Sequence, residues 1–517
     1  MFSVLAAGLL LRIHAASGTF LNPDEALHVS VADQRSFFDA YKASLALAHP
    51  PLLILVLYFW RQIGASEFWL RLPAVIAGTL CCWFFFKWMK ITLGSTAAIV
   101  GLILVALLSP LASVSAEVRQ YSLLLLFMVA AAYLLELAFA KSSASRMALS
   151  FVCLWLAMLS HYSGFIFGFT LGVYGLLRVL SDRPPRKIFA AWLVGEAGAA
   201  GLAVFLYRTQ IATLRSSALA EQAASDWLRK SYFHPGQNNL LSFVFGRSFA
   251  VFQFIFGQHA IGLIAGVMFL IGIVFLLRRI SGATAVPSWQ LAVLLVLPFV
   301  INCALAIVGR YPYGGTRHSI FVVIFALAGV SVFLARASRE RAEYAIAFAT
   351  GIVVICYLFG FHHQPYMTRH DQSRAQMEHA MDFIRQEIPS SDRIFVDYQA
   401  SLELGHYLCK QKPVRIERSG FDSFDCADHH IISTSDSPRL WGFTPESFPG
   451  YWDDLARTQQ LNPGTNVWVV QAGWGASMAS GLLRVRPDLN PSRVESFGRN
   501  ITIFRLTVVN PATRSAS

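Results

Sequence analysis

Apolar runs close to twenty residues long fill the first two-thirds of the chain, and their length limits the fold more than any other feature. A helix rises 1.5 Å per residue, so about 20 apolar residues cross the hydrocarbon core of a bilayer. Such runs occupy about 2–19, 71–90, 95–114, 120–140, 146–161, 163–180, 187–207, 259–279, 287–308, 318–336 and 343–361. Mean hydropathy is +0.51 and charged residues make up 14% of the chain, against about 25% in soluble domains. The expected fold is a polytopic α-helical membrane protein of about eleven spans.

Charge decides which stretches cross. The apolar segment 50–64 is short and interrupted by Arg61-Gln62, so it reads as a helix lying in the interface. With that choice, every second short loop collects the basic residues: Lys87 and Lys90; Lys141 and Arg146; Arg178, Arg183, Arg186 and Lys187; Arg278 and Arg279; Arg336, Arg339 and Arg341. By the positive-inside rule those loops and the N-terminus are cytoplasmic. Residues 20–70, 208–258 and 309–317, the corners at 117–121 and 161–163, and everything past about 362 then face outside. The same bias accounts for the net charge of +12. No run of Arg or Lys interleaved with aromatics points to nucleic acid. The first helix begins almost at Met1 and is expected to act as an uncleaved anchor, with the true start either here or upstream.

Residues 362–517 change character. Charge, Pro and Gly rise, and apolar runs shrink to strand length at Arg393–Tyr398, His430–Ser433, Asn466–Gln471 and Ile501–Val508. Helical patterns lie at about 373–387 and 399–410. A small extracytoplasmic α/β domain is expected here, beside a membrane domain over 1–361. Cys81, Cys82, Cys153, Cys303 and Cys356 sit in apolar runs as small hydrophobes. Cys409 and Cys426 share the oxidising side, where a disulfide and two free thiols are both open.

The chemistry-bearing residues gather in the expected outer segments. Asn22-Pro23-Asp24-Glu25 is a good helix start, with Asn at the N-cap, Pro at N1 and Glu at N3 of a capping box. The following stripe of Leu27, Val31, Phe38, Tyr41 and Leu45 suits a helix lying on the bilayer. Capping accounts for Glu25 but less well for Asp24, whose carboxylate can accept a proton from a hydroxyl. His49-Pro50-Pro51 opens the next interfacial helix, with His49 either a turn residue or a donor to an anion.

Arg119 and Tyr121 lie at a corner where a guanidinium needs an anionic partner, with Glu117 two residues away. Arg310, Tyr311, Arg317 and His318 lie in a Gly-flexed loop that breaks the charge bias. Bidentate phosphate capture and snorkelling are its two readings. His161 and Tyr162 read as interface anchors or as a pocket wall.

The order Leu11-Arg12, Asp24-Glu25-Ala26, His49-Pro50-Pro51-Leu52, Glu67-Phe68 to Arg71-Leu72-Pro73, Arg119 to Tyr121 and His161-Tyr162 resembles the GT-C membrane glycosyltransferases. Within them it is closest to bacterial relatives of protein O-mannosyltransferases and of the lipid A aminoarabinose transferase. The resemblance covers residues 1–361 and hardly touches the tail. It implies an enzyme of the bacterial cytoplasmic (inner) membrane that moves a sugar from a polyprenyl-phosphate donor to an acceptor hydroxyl at the outer face, with inversion. The acceptor would be a protein, a lipid or a polysaccharide.

By that resemblance Asp24 is the base, and Glu25 orients the acceptor or binds a divalent cation; no other cofactor is implied. His49 stands where the aminoarabinose branch has a Lys. Arg119, Tyr121, Arg310, Tyr311, Arg317 and His318 would hold the lipid phosphate. A transporter or flippase of lipid-linked glycans, and a ligase of such glycans, are the alternatives. The transporter predicts internal repeats meeting at the midplane, and none is visible.

Overall fold

A computed structural model describes residues 1–215, 218–278, 287–360, 372–409, 416–418, 420–434, 442–475 and 478–508. Arg279 and the expected domain boundary near 362 lie outside the described residues. The chain divides into two compact units. One comprises Met1–Ser17 and Ser36–His363, the other Gly18–Arg35 and Gln364–Ser517.

The first unit is a helical bundle. Among the described residues, eight helices are long and apolar enough to cross a membrane: Glu67–Thr92, Tyr121–Ala140, Ser163–Asp182, Arg186–Leu214, His259–Leu277, Ser288–Ile307, Arg317–Ala337 and Ala342–Phe359. The other three expected runs form the shorter helices Phe2–Ala16, Ser95–Leu107 and Ala144–Ser160, so the count of eleven spans does not carry over directly. The run 95–114 divides because Leu108 is extended (ψ 127°) ahead of a separate helix, Ser109–Val114. Pro110 has no N–H to give to the preceding turn, which favours a break there.

Two local expectations are corrected. The stretch 208–258, read as an outer loop, contains a further apolar helix, Leu240–Phe256, capped by the Asn239 side chain on the Ser242 N–H at 3.1 Å. Arg178, counted among the loop charges, is instead buried inside Ser163–Asp182. There it pairs with Glu136, bonds Asp182 through Nε at 2.9 Å, and shares Glu136 with the Tyr174 hydroxyl. A buried ion pair needs such additional partners to offset its desolvation.

Helix ends inside the bundle are closed by arginines. Arg12 is 2% exposed and donates to the carbonyls of Gly8 and Ala106, both at 2.9 Å, and of Val105 at 3.2 Å. The last four carbonyls of a helix have no partner of their own. Arg12 therefore serves the end of Ser95–Leu107. Arg71 does the same for the first helix, donating to the Ala16 carbonyl at 3.1 Å. The segment 50–64 holds only the helix Leu52–Trp60, about 13 Å long and too short to cross. Trp60 stacks on Trp69 at 5.0 Å, and each indole N–H donates to the other residue's carbonyl.

Among its described residues the second unit is a seven-stranded sheet with helices on both faces. Its strands are β1 (Arg393–Val396), β2 (Ile416–Arg418), β3 (Phe421–Cys426), β4 (His429–Thr434), β5 (Asn466–Ala472), β6 (Arg493–Ser496) and β7 (Ile501–Thr507), in the order β2-β3-β4-β1-β5-β7-β6. β1 lies parallel to β4 and β5, and the remaining pairs are antiparallel.

Alternation along the central strands makes two cores. Ile394, Val396, Trp468 and Val470 face one, with residues of the helices Arg374–Glu387 and Tyr398–Tyr407. Phe395, Val467 and Val469 face the other, with Phe448–Thr458 and Met478–Val485. Cys409 and Cys426 form a disulfide that ties the end of Tyr398–Tyr407 to β3.

Residues 23–45 form two helices rather than one amphipathic helix on a bilayer. Pro23–Ala32 ends before Asp33, and Phe37–Ser44 restarts with Ser36 as its cap. The first of these belongs to the second unit. Phe20 donates to the Gln372 carbonyl at 2.9 Å, the Gly18 carbonyl accepts from Arg374 at 3.1 Å, and Leu21 donates to the Tyr407 hydroxyl at 2.7 Å.

The disulfide closes a loop 17 residues long, worth about 3 kcal/mol by loop entropy. Cys409→Ala combined with Cys426→Ala is expected to lower the stability of the second unit by about 2–4 kcal/mol. Pulse proteolysis of the membrane-embedded protein in urea measures that change.

Candidate functional site

Four separate segments of the bundle bring one cluster of donors together. The corner before Tyr121–Ala140 supplies Arg119 and Tyr121. The guanidinium lies 5.5 Å from the Tyr121 ring centroid, and one of its nitrogens is 3.4 Å from the hydroxyl. The corner between Ala144–Ser160 and Ser163–Asp182 supplies His161, 3% exposed, with its ring 5.4 Å from that of Tyr121. The loop after Ser288–Ile307 supplies Tyr311 and His318. The His318 ring is 6.1 Å from His161, and the Tyr311 hydroxyl donates to the His318 carbonyl at 3.2 Å. The turn before Leu52–Trp60 supplies His49, 5% exposed, which acts electrostatically on His161.

The electrostatics follow from this convergence of like charges. Burial first, then His318, His49 and Arg119, hold His161 well below the usual imidazole range, so its ring is neutral. Burial pushes the Tyr311 phenol upward, with Tyr121 adding to the shift, so it remains a donor. The cluster suits an anion with several acceptor oxygens.

Not every expected residue joins it. Arg310 is exposed and makes none of these contacts. Tyr162 turns away to Gln210, donating at 3.3 Å. Arg317, half-buried at the start of the 3-10 turn Arg317–Val322, adjoins His318 in the loop that supplies the cluster.

Several supporting residues escaped the sequence reading. Ser163 meets Nδ1 of His161 through its hydroxyl at 2.8 Å and its N–H at 3.3 Å, and it also bonds Tyr311. Asn302 donates to the Pro312 carbonyl at 3.0 Å and accepts from Ser319 at 3.3 Å, pinning the loop. Ser248 pairs with the Tyr313 hydroxyl at 2.8 Å. A lone Asn inside the apolar run 287–308 was the available signal, since a buried amide in a membrane helix needs partners.

Asp24 and Glu25 lie in the other unit. Glu25 is fully buried and completes the capping box: its carboxylate accepts from the Asn22 N–H at 3.0 Å, and Asn22 accepts from the Glu25 N–H at 3.0 Å. Asp24 is half-buried at the second helical position, and its carbonyl accepts from the His28 ring. Pro23 packs on Gly473, where a Cβ would come within 2.6 Å of the proline ring and φ is +104°. Only glycine is comfortable at that position.

The helix Pro23–Ala32 packs on Tyr398–Tyr407, which carries another fully buried carboxylate, Glu403. Glu403 has neither oxygen hydrogen-bonded. Burial, then Asp397 and Glu25, drive its affinity for a proton well up. Asp397 caps the same helix, accepting from Ala400 at 2.8 Å and from Phe443 at 3.0 Å, yet burial still pushes it up to about 7. Among the described residues, no group of three or more His, Cys, Asp or Glu side chains is arranged for a metal ion.

ArnT from Cupriavidus metallidurans in the apo state shares 12% identity over 98% of this chain and 97% of its own, with a TM-score of 0.54. ArnT bound to undecaprenyl phosphate gives 14%, 98%, 97% and 0.52. The Archaeoglobus fulgidus oligosaccharyltransferase in complex with Zn and sulfate gives 12% over 96% of this chain and 72% of its own, at 0.53.

The chain therefore has the fold of the GT-C glycosyltransferases, in a multi-pass membrane protein. Residues 48–214 match the family described as dolichyl-phosphate-mannose-protein mannosyltransferase. No curated protein matches the chain by sequence.

Glu403 and Asp397 both bind protons more tightly when folded than when unfolded. Their ionisation therefore costs stability as pH rises from the ordinary carboxyl range toward the folded value. For Asp397 that window runs from 3.8 to about 7. Glu403→Gln removes one of these ionisations and is expected to flatten the decline in the second unit's stability as pH rises above the ordinary carboxyl range. Urea unfolding at several pH values measures the slope.

Proposed function

We propose that this protein is a glycosyltransferase. It moves a sugar from a polyprenyl-phosphate donor to an acceptor hydroxyl at the outer face of the bacterial cytoplasmic membrane. The observation that carries the reading is the convergence of Arg119, Tyr121, His161, Tyr311 and His318 in one corner of a GT-C bundle. An N–H- and O–H-rich cluster with one fixed cation matches a lipid phosphate, and ArnT has been crystallised with undecaprenyl phosphate.

The chemistry asks little more of the protein. A departing phosphate needs no proton if cations and donors stabilise its charge. The acceptor hydroxyl needs one base, and a single inverting displacement needs no second carboxyl. We assign the base to Asp24, because the neighbouring Glu25 is spent on its capping box. Arg317 and His49 complete the phosphate set, while Tyr162 and the exposed Arg310 play at most a peripheral part. The acceptor class, whether protein, lipid or polysaccharide, is left to the assay. The second unit, placed outside the membrane in this reading, is a candidate to select it.

The test is turnover in nanodiscs with a polyprenyl-phosphate sugar and candidate acceptors. Acceptor-dependent release of polyprenyl phosphate is expected, and Asp24→Asn should lower it by about 10²–10⁴-fold while lipid binding persists. Translocation of the lipid without release, undiminished in Asp24→Asn, would instead make the protein a flippase. Arg317→Ala is expected to raise the apparent KM for the donor at least several-fold more than that for the acceptor. Equal changes in both would remove Arg317 from the phosphate set.

A further inference from the structure

The helix Arg186–Leu206 carries a carboxylate, Glu196, that the reaction proposed above does not use. It lies ten residues past Arg186, about 15 Å along the axis, close to the middle of a hydrocarbon core about 30 Å thick. The span to which it belongs, Arg186–Leu214, is thinly covered. Only 22% of its apolar stretch is buried, against 83% for Arg317–Ala337. Leu193 and Val194, beside Glu196, are 52% and 69% exposed.

Glu196 is half-buried in a slot that two glycines open. A Cβ added at Gly172 of Ser163–Asp182 would come within 3.0 Å of its Oε2, and one at Gly175 within 2.6 Å of the Trp192 indole nitrogen. Trp192 stands one turn before Glu196 and is 9% exposed. Its N–H acts on the carboxylate but has no hydrogen-bond partner of good geometry. Among the described residues, no Arg, Lys or His pairs with Glu196. Acids inside a membrane ordinarily face the bundle interior and pair with a cation. This one has no cation and stands half-open on a lipid-facing helix.

The surface beside it admits another helix. Ala197, Ala200 and Gly201 are exposed, and nothing lies within 4 Å of a Cβ added at Gly201. Ala197 and Gly201 are four residues apart on one side of the helix, a spacing of small residues that lets a second backbone come close. Charge then selects the occupant. A second copy of this chain, laid on the same face about a two-fold axis, would set Glu196 against Glu196, like against like. A helix bearing a cation at the same depth supplies the missing partner.

We propose that this face receives the transmembrane helix of a partner protein that carries an Arg or Lys near its midpoint, paired with Glu196. The interaction is separate from the phosphate cluster and does not depend on the transfer reaction.

The test uses the full-length chain, labelled with a fluorescent donor, in proteoliposomes with an acceptor-labelled synthetic transmembrane peptide. The peptide is a Leu/Ala host with one central Arg, compared with the same host carrying a central Leu. The wild type is expected to bind the Arg peptide at least about fivefold more tightly than the Leu peptide. Glu196→Gln should shrink that preference to less than about twofold, whereas Glu196→Asp, which keeps the charge, should retain it. A relocated acid, Glu196→Gln combined with Val267→Glu on the exposed side of His259–Leu277, should bind the Arg peptide at least about threefold more weakly than wild type, because it lacks the small-residue surface.

No preference in the wild type, a preference surviving Glu196→Gln, or equal loss in Glu196→Asp overturns the pairing. A relocated acid that binds as tightly as Glu196 overturns the site, leaving only the attraction of any acid in lipid for a cation. Energy transfer between labelled copies of the chain itself, abolished by Glu196→Gln, would give the face to self-association and overturn the partner.

Discussion

The bundle depends on finding partners for polar groups where water is scarce. Arg12 shows the solution most clearly: a guanidinium in the first helix answers the carbonyls that end a distant one, and Arg71 answers the end of the first. Each closure fixes where one helix stops against another, and each stopping point sets a corner. The Arg119, His161 and Tyr311 segments are also turns between helices of this bundle, where polar groups at apolar boundaries must likewise find partners.

Much of this was legible in the sequence because membrane helices announce themselves by length. Within the described residues each of the eleven apolar runs forms helix, that at 95–114 in two pieces, and the four strands picked from the tail, at Arg393, His430, Asn466 and Ile501, lie in the sheet. Tertiary contacts escaped. Ile416–Arg418 and Arg493–Ser496 are short edge-side strands without a strong alternating pattern. Leu240–Phe256 was lost in an outer loop because charge parity left no place for another crossing. The arginines at positions 12 and 71 counted toward a family resemblance, and the structure gives them a plain structural task.

The candidate site divides along the same line. Arg119, Tyr121, His161 and His318 stood out as polar residues at apolar boundaries, and they converge. Arg310 stood out equally and is exposed. Charge type alone does not reveal which side of a loop faces inward; Asn302 and Ser319 decide that, by fixing the Pro312 carbonyl. For the acidic pair, spacing gave the capping box correctly. It could not reveal the buried Glu403 brought beside Glu25 by a helix nearly 380 residues later.

The allocation of Gly18–Arg35 to the second unit has a consequence for how the chain is built and rebuilt. A segment made among the first on the ribosome must wait for its sheet until the last strand emerges, while helices on either side of it can already assemble. Shortening the gene at its 3′ end would strand that early piece with an uncovered apolar side. Anyone grafting this tail onto another helical membrane body would have to carry the N-terminal insert along with it.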